Sequence, residues 1–184
     1  MIPSALTQKE IIQGCKDGRE EAYRALVDVY AEQLMGTCMR YVRDRQKAED
    51  ILQETYIRVF KSIHKYEETG TLTGWLTKIA VNCCLKELKK NKRVSFKEEE
   101  LLFENAIELP DVYDKLSSEE LLTMLDRLPG PYRIIFNLNV IEGYTHKEIA
   151  DMLGIQVSLS RTKLTRARKM LQEYYLIQFK KSIV

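Results

Sequence analysis

Between residues 158 and 169 the chain sets Ser158, Arg161, Thr162, Lys163, Thr165, Arg166 and Lys169 within a few helical turns. Guanidinium, ammonium and hydroxyl groups at this density are a binding chemistry, suited to phosphate oxygens and base edges. No acid interrupts the stretch between Asp151 and Glu173. A second basic cluster, Lys78, Lys86, Lys89, Lys90, Lys92 and Arg93, shares a segment with Trp75, Ile79 and Asn82. It follows KYEETGTLTG, residues 65–74, a loop by its Gly and Thr content. Cations beside an aromatic and a flexible loop suit single-stranded nucleic acid, where bases stack and phosphates are neutralised. Trp75 as a plain core anchor is the competing reading. A third group is acidic and amide-bearing. Asp50, Gln53, Glu54, Ile57 and Lys61 fall on one side of a helix, opposite an apolar stripe, and offer a protein-docking surface. An ordinary solvated face competes with it.

Other chemistries find no support. The four cysteines, Cys15, Cys38, Cys83 and Cys84, form no C-x-x-C pair, and His64 and His146 are the only histidines. No zinc-ligand spacing results, and no carboxylate or His cluster fits a hydrolytic centre. Neither a metal, a cofactor nor an enzymatic activity is expected. Cys15 and Cys38 sit among apolar helical positions and read as buried free thiols, which fits a reducing compartment. No apolar run is long enough to span a membrane, and the N-terminus lacks a signal-peptide core. The expectation is a cytoplasmic protein with no direct membrane insertion.

These groups need elements to hold them. Gly and Pro are few, at 8 and 4 of 184 residues, and apolar residues recur at helical spacing. The fold expected is all-α. Capping boxes at Thr7–Glu10, Ser117–Glu120 and Thr145–Glu148 mark three helix starts. A long helix over about 19–43 carries Tyr23, Leu26, Val27, Tyr30, Leu34, Cys38 and Tyr41, and Asp44 and Arg45 end it. A second spans about 46–63 with Ala48, Ile51, Leu52, Thr55 and Val59 inward, and a third spans about 75–93. Three such helices can close a small core, so residues 1–93 form one helical domain. Residues 94–116 lack a period, contain Pro110 and form an acidic linker, with a short helical piece near 98–103. Residues 117–184 form a second domain with helices near 118–127, 131–141, 146–153 and 157–176.

The charge follows this division. Basic against acidic residues number 17 and 13 in 1–93, 2 and 7 in 94–116, and 10 and 7 in 117–184. The net charges are therefore +4, −5 and +3. Two basic blocks suggest a polyanionic partner, and the strip between them should avoid or imitate it.

In the last block a short helix places Ile149, Ala150 and Leu153 on a core face, and Gly154 supplies a positive φ for a sharp turn. In the helix that follows, Ser160, Leu164, Ala167 and Leu171 point inward. Ser158, Arg161, Thr162, Thr165, Arg166 and Lys169 point outward. This is a helix-turn-helix, whose second helix enters the major groove of DNA. Arg161 is placed for a guanine edge, and Arg166 and Lys169 for phosphates.

The whole chain resembles a bacterial RNA polymerase sigma factor of the sigma-70 family, extracytoplasmic-function group. DRQKAEDILQETYIRVFKSI is similar to the family's polymerase-binding helix, and GWLTKIAVNCCLKELKK to the helix that melts and reads the −10 promoter element. LDRLPGPYRIIFNLNVIEGYTHKEIADMLGI followed by LTRARKML is similar to the domain that reads the −35 element. Two departures stand out. Gln156-Val157-Ser158-Leu159 replaces a Ser-Glu-Gly-Thr-like lead into the recognition helix, and Lys86 stands where an acid is common. The third helical domain of larger sigma factors is missing, with the acidic linker in its place.

The resemblance implies roles. Asp50, Gln53, Glu54 and Ile57 would dock on core RNA polymerase. Lys65, Tyr66, Trp75, Lys78, Asn82, Lys86, Lys89 and Lys90 would take the melted −10 strand, with the 65–74 loop capturing a flipped base. Ser158, Arg161, Thr162, Lys163, Thr165, Arg166 and Lys169 would read the −35 duplex. An anti-sigma protein would be the regulator. The alternative is a two-domain helix-turn-helix transcriptional regulator that never binds core polymerase.

Overall fold

The computed structural model describes residues 6–90 and 118–180. The chain forms two compact units, Met1–Lys90 and Asn91–Val184. All regular structure among the described residues is helical. The acidic linker, the helical piece near 98–103, Lys92, Arg93 and the Ser117 cap lie outside the described residues.

The first unit opens with α1, Gln8–Lys16. Thr7 and Glu10 form its capping box. The Thr7 N–H donates to the Glu10 carboxylate at 2.8 Å, and the Glu10 N–H donates to the Thr7 hydroxyl at 3.4 Å. Helix α2, Glu20–Val42, buries Leu26, Tyr30, Leu34, Cys38 and Tyr41, a repeat of three and four residues. It ends at Arg43, whose left-handed φ of 55° turns the chain. Asp44 then caps α3, Arg45–Ser62, by accepting from the Lys47 N–H at 3.2 Å. Ala48, Ile51, Thr55, Tyr56 and Val59 face inward from α3, while Leu52 is only half-buried. A 3₁₀ turn, Ile63–Lys65, leads into a short loop.

Helix α4 runs Leu72–Lys90. It starts three residues before the Trp75 expected from sequence, so the expected 65–74 loop is shorter. The cause is Thr71, whose hydroxyl accepts from the Gly74 N–H at 3.1 Å and caps the first turn. Helices α2, α3 and α4 pack on one another, and α1 packs on α2. All four cysteines are buried free thiols. Burial pushes the Cys15 thiol up to about 11, so it stays protonated.

The second unit comprises α5 (Ser118–Leu125), α6 (Gly130–Phe136), α7 (His146–Leu153) and α8 (Val157–Lys180). The single helix expected over 131–141 is α-helical only to Phe136. It widens into a π-helical segment, Asn137–Ile141, in which the Glu142 N–H reaches back to the Asn137 carbonyl at 2.9 Å. The Asn139 amide holds the Tyr144 carbonyl at 2.9 Å, fixing the turn into α7. Thr145 and Glu148 form the expected capping box. Gly154, at φ 70°, ends α7 in the left-handed region, and its N–H closes on the Ala150 carbonyl at 2.8 Å. Phe136, Leu138, Ile149, Leu164, Ala167 and Leu171 are among the core residues.

Candidate nucleic-acid interfaces

Helix α8 is sorted by its period. Leu159, Ser160, Leu164, Ala167 and Leu171 are buried. Ser158, Arg161, Thr165 and Lys169 are exposed, and Thr162 and Arg166 are half-exposed. The Thr162 hydroxyl donates to the Ser158 carbonyl at 3.0 Å, and the Thr165 hydroxyl to the Arg161 carbonyl at 3.2 Å. Each hydroxyl has therefore spent its proton on its own helix and can only accept from a partner.

Lys163, expected in the −35 set, is the member of it that lies inward. It is 3% exposed, and its ammonium lies 4.9 Å from the centre of the Tyr132 ring. Its position is about 60° from Ser160 around the helix, on the inward arc. The aromatic face of α6 meets the charge in a cation–π contact, which holds Lys163 against the inner side of α8.

One residue went unassigned from sequence beyond its place in the capping box. His146 Nδ1 lies 2.9 Å from the Ser160 hydroxyl, joining the start of α7 to the buried side of α8. Desolvation holds the imidazole below its usual pKa, and the Arg161 and Arg168 charges push it the same way. A His and a Ser fourteen residues apart gave no reason to pair them before the turn geometry was known.

In the first unit Lys78, Asn82, Lys86, Lys89 and Lys90 are exposed along α4 at steps of three and four residues. Trp75 and Ile79 are half-buried beside them. Lys65 is exposed at the end of the 3₁₀ turn. Tyr66, expected among the −10 contacts, is the member of that set that lies inward. It is 5% exposed, its hydroxyl donates to the Gly70 carbonyl at 2.8 Å, and its ring packs 5.2 Å from that of Trp75. It belongs to the interior of the loop rather than to its outer surface. The residues after it, 67–71, are exposed.

On α3 Asp50 and Gln53 are exposed, and Ile57 is 48% exposed. Glu54 pairs with Arg58 at 2.7 Å, one helical turn on. That hydrogen bond holds the Glu54 carboxyl below the usual range, with the Arg58, Lys86 and Lys61 charges adding to it. The carboxylate is thus ionised at neutral pH, and the field of Lys86 on α4 reaches it. Among the described residues no group of three or more His, Cys, Asp or Glu is placed to hold a metal. None of the described helices is long and apolar enough to cross a membrane.

The sequence matches two family models, Sigma-70 region 2 over residues 26–94 and Sigma-70 region 4 over residues 118–171. The RNA polymerase sigma factor CarQ of Myxococcus xanthus is 30% identical, over 86% of this chain and 91% of that protein. The ECF RNA polymerase sigma factor SigW of Bacillus subtilis is 26% identical, over 90% and 95%. With SigE of Mycolicibacterium smegmatis, also 30% identical, the match spans 81% of this chain but 60% of the relative. The sigma factor RpoE of Bartonella quintana, solved in complex with the anti-sigma factor NepR, shares the fold with a TM-score of 0.52 at 21% identity, covering 85% and 97% of the two chains. Two matched regions in this order, with relatives aligned across both, place the chain in the ECF group of the sigma-70 family of RNA polymerase sigma factors.

Proposed function

We propose that this sigma factor divides promoter recognition among three faces. Asp50, Gln53, Glu54 and Ile57 of α3 dock on core RNA polymerase, with Ile57 as the apolar centre of a polar rim. Ser158, Arg161, Thr162, Thr165, Arg166 and Lys169 of α8 lie against the −35 duplex. The loop after Lys65, together with Lys78, Asn82, Lys86, Lys89 and Lys90, takes the melted −10 strand. The acidic stretch 94–116 runs along the polymerase's RNA path and imitates RNA charge until a transcript displaces it. An anti-sigma protein covers these faces when the factor is silent. The work is done by binding energy in the cytoplasm, without a covalent step.

The observation that carries this reading is the exposed strip Lys78, Asn82, Lys86 and Lys89, which leads from an exposed loop along the length of α4. A regulator that only grips duplex DNA needs no such second basic face. Extruding a base costs a few kcal/mol, about what stacking and phosphate contacts on such a strip return.

Two measurements test the proposal. The purified chain should co-elute with core polymerase, and the holoenzyme should open a promoter selected from a randomised library. Permanganate attacks only unpaired thymines and reports opening directly. Replacement of residues 67–71 by Gly and Ser should leave promoter binding intact and abolish opening. Normal opening by that variant removes the base-capture role, and failure to bind core removes the polymerase role.

A further inference from the structure

We infer that Tyr66 and Lys16 are positioning residues for strand capture: they hold the loop that follows Lys65 in its receiving shape without touching DNA. The inference rests on the capture role given to that loop above. Residues 67–71 are exposed, and Tyr66 is the buried residue from which they hang. Each polar group of Tyr66 is engaged inside the unit. Its N–H donates to the Ile63 carbonyl at 3.0 Å, its hydroxyl donates to the Gly70 carbonyl at 2.8 Å, and its own carbonyl accepts from the Lys16 ammonium at 3.0 Å. The phenol-to-Gly70 bond closes a five-residue ring, and the Trp75 side chain backs it at the start of α4. Burial, with the Glu68 carboxylate adding to it, holds the phenol above its usual pKa, so it remains a donor at neutral pH.

Lys16 gives α1 a task that nothing else in the molecule assigns it. The helix lies before the region 2 match, which begins at residue 26. It is seated firmly, because a methyl group added at Gly14 would stand 2.5 Å from the Ala22 Cβ on α2. Lys16 occupies the last turn of α1, where an ammonium is favoured by the helix dipole. It thus reaches the loop from a fixed platform. A loop ordered before the base arrives does not have to be ordered by the base, so more of the contact energy remains for holding the strand.

The test uses the full chain assembled with core polymerase and a promoter carrying 2-aminopurine in the −10 strand. The fluorescence of that base rises on extrusion and is quenched when it is stacked in a pocket. Tyr66→Phe keeps the ring and deletes only the hydroxyl; Lys16→Met keeps the chain length and deletes the charge. Each should weaken capture of the −10 strand about three- to tenfold, the loss expected of one hydrogen bond. Each should also change the 2-aminopurine signal, leave −35 duplex affinity unchanged, and reverse with Lys16→Arg at the second site. Wild-type capture and fluorescence in both variants would overturn the inference, as would equal loss of −35 binding. The Gly/Ser loop variant separates the two levels. If it alone fails to open the promoter, the positioning role falls and capture stands; if it opens normally, capture itself has failed.

Discussion

His146 Nδ1 and the Ser160 hydroxyl meet at 2.9 Å across the turn of the helix-turn-helix. Ser160 is fully buried and adjoins the exposed Arg161, the side chain proposed to reach a base. The bond ties the rotation of α8 to the start of α7. Either Nδ1–H donates to the hydroxyl or the hydroxyl donates to Nδ1, according to tautomer.

The pair makes stability depend on pH in a defined direction. The folded imidazole titrates below its usual value of 6.5, for the burial and Arg charges already given. Below about pH 6.5 the unfolded chain therefore binds a proton that the folded chain refuses, and stability falls as pH is lowered toward the folded pKa. Thermal melts between pH 7.5 and 5.5 should show a larger loss for the wild type than for His146→Gln, which cannot titrate. Equal losses would show that His146 is not the group responsible.

Gly14 offers a test in which local and tertiary preferences conflict. Alanine is the better helix former by about 1 kcal/mol. Yet its methyl would stand 2.5 Å from the Ala22 Cβ and 2.8 Å from the Arg19 guanidinium. The guanidinium can swing aside; the Ala22 Cβ is fixed to a backbone packed in the core. Gly14→Ala should lower stability by about 1–3 kcal/mol in a denaturant titration, the usual cost of overpacking. Adding Ala22→Gly should recover part of that loss, and an additive double mutant would mean the two positions do not meet.

Much of this architecture was legible because local signals agreed with one another. The boxes at Thr7 and Thr145 mark the starts of α1 and α7, and the spacing of Leu26, Tyr30, Leu34 and Cys38 marks the buried side of α2. The start of α4 was obscured because Gly74 reads as loop when the Thr71 cap before it goes unrecognised. The π-helical widening at Asn137 has no signature in apolar spacing. Tyr66 and Lys163 are buried although their residue types suggest a surface role. Aromatic and basic side chains near a nucleic-acid face suggest contact with it, whereas the partners that hold these two inward are visible only once the chain is folded. Gly70 and Trp75 take Tyr66, and Tyr132 takes Lys163. In Lys163 one clue was available, its place about 60° from Ser160 and about 40° from Ala167 around the helix.

The α3 face should separate binding from folding. Gln53 is exposed and Glu54 half-exposed, so Gln53→Ala with Glu54→Ala leaves the core of α2, α3 and α4 untouched. The solvent-screened Glu54–Arg58 pair adds little to the helix. Circular dichroism and melting should be close to wild type while affinity for core polymerase falls. Unchanged affinity in a well-folded double variant would move the docking surface elsewhere.

Helix α8 makes a three-way prediction that depends on which way each cation points. Arg161 is exposed beside the buried Ser160, in the N-terminal part of the helix, where a recognition helix meets base edges. Arg161→Ala should cost about 1–3 kcal/mol at one base position and relax selection there. Lys169 is exposed two turns farther on, suited to a phosphate. Lys169→Ala should weaken binding to all sequences alike and lower the slope of log affinity against log salt by about one. Lys163 is buried over Tyr132, so Lys163→Met should leave both selection and salt slope unchanged. Its effect should appear instead in the melting of the second unit, through loss of the cation–π contact, on the order of 0.5–2 kcal/mol. Binding of a base-substituted duplex series at several salt concentrations distinguishes the three. A salt slope that falls on replacing Lys163 would place its ammonium on the DNA and reverse the inward assignment.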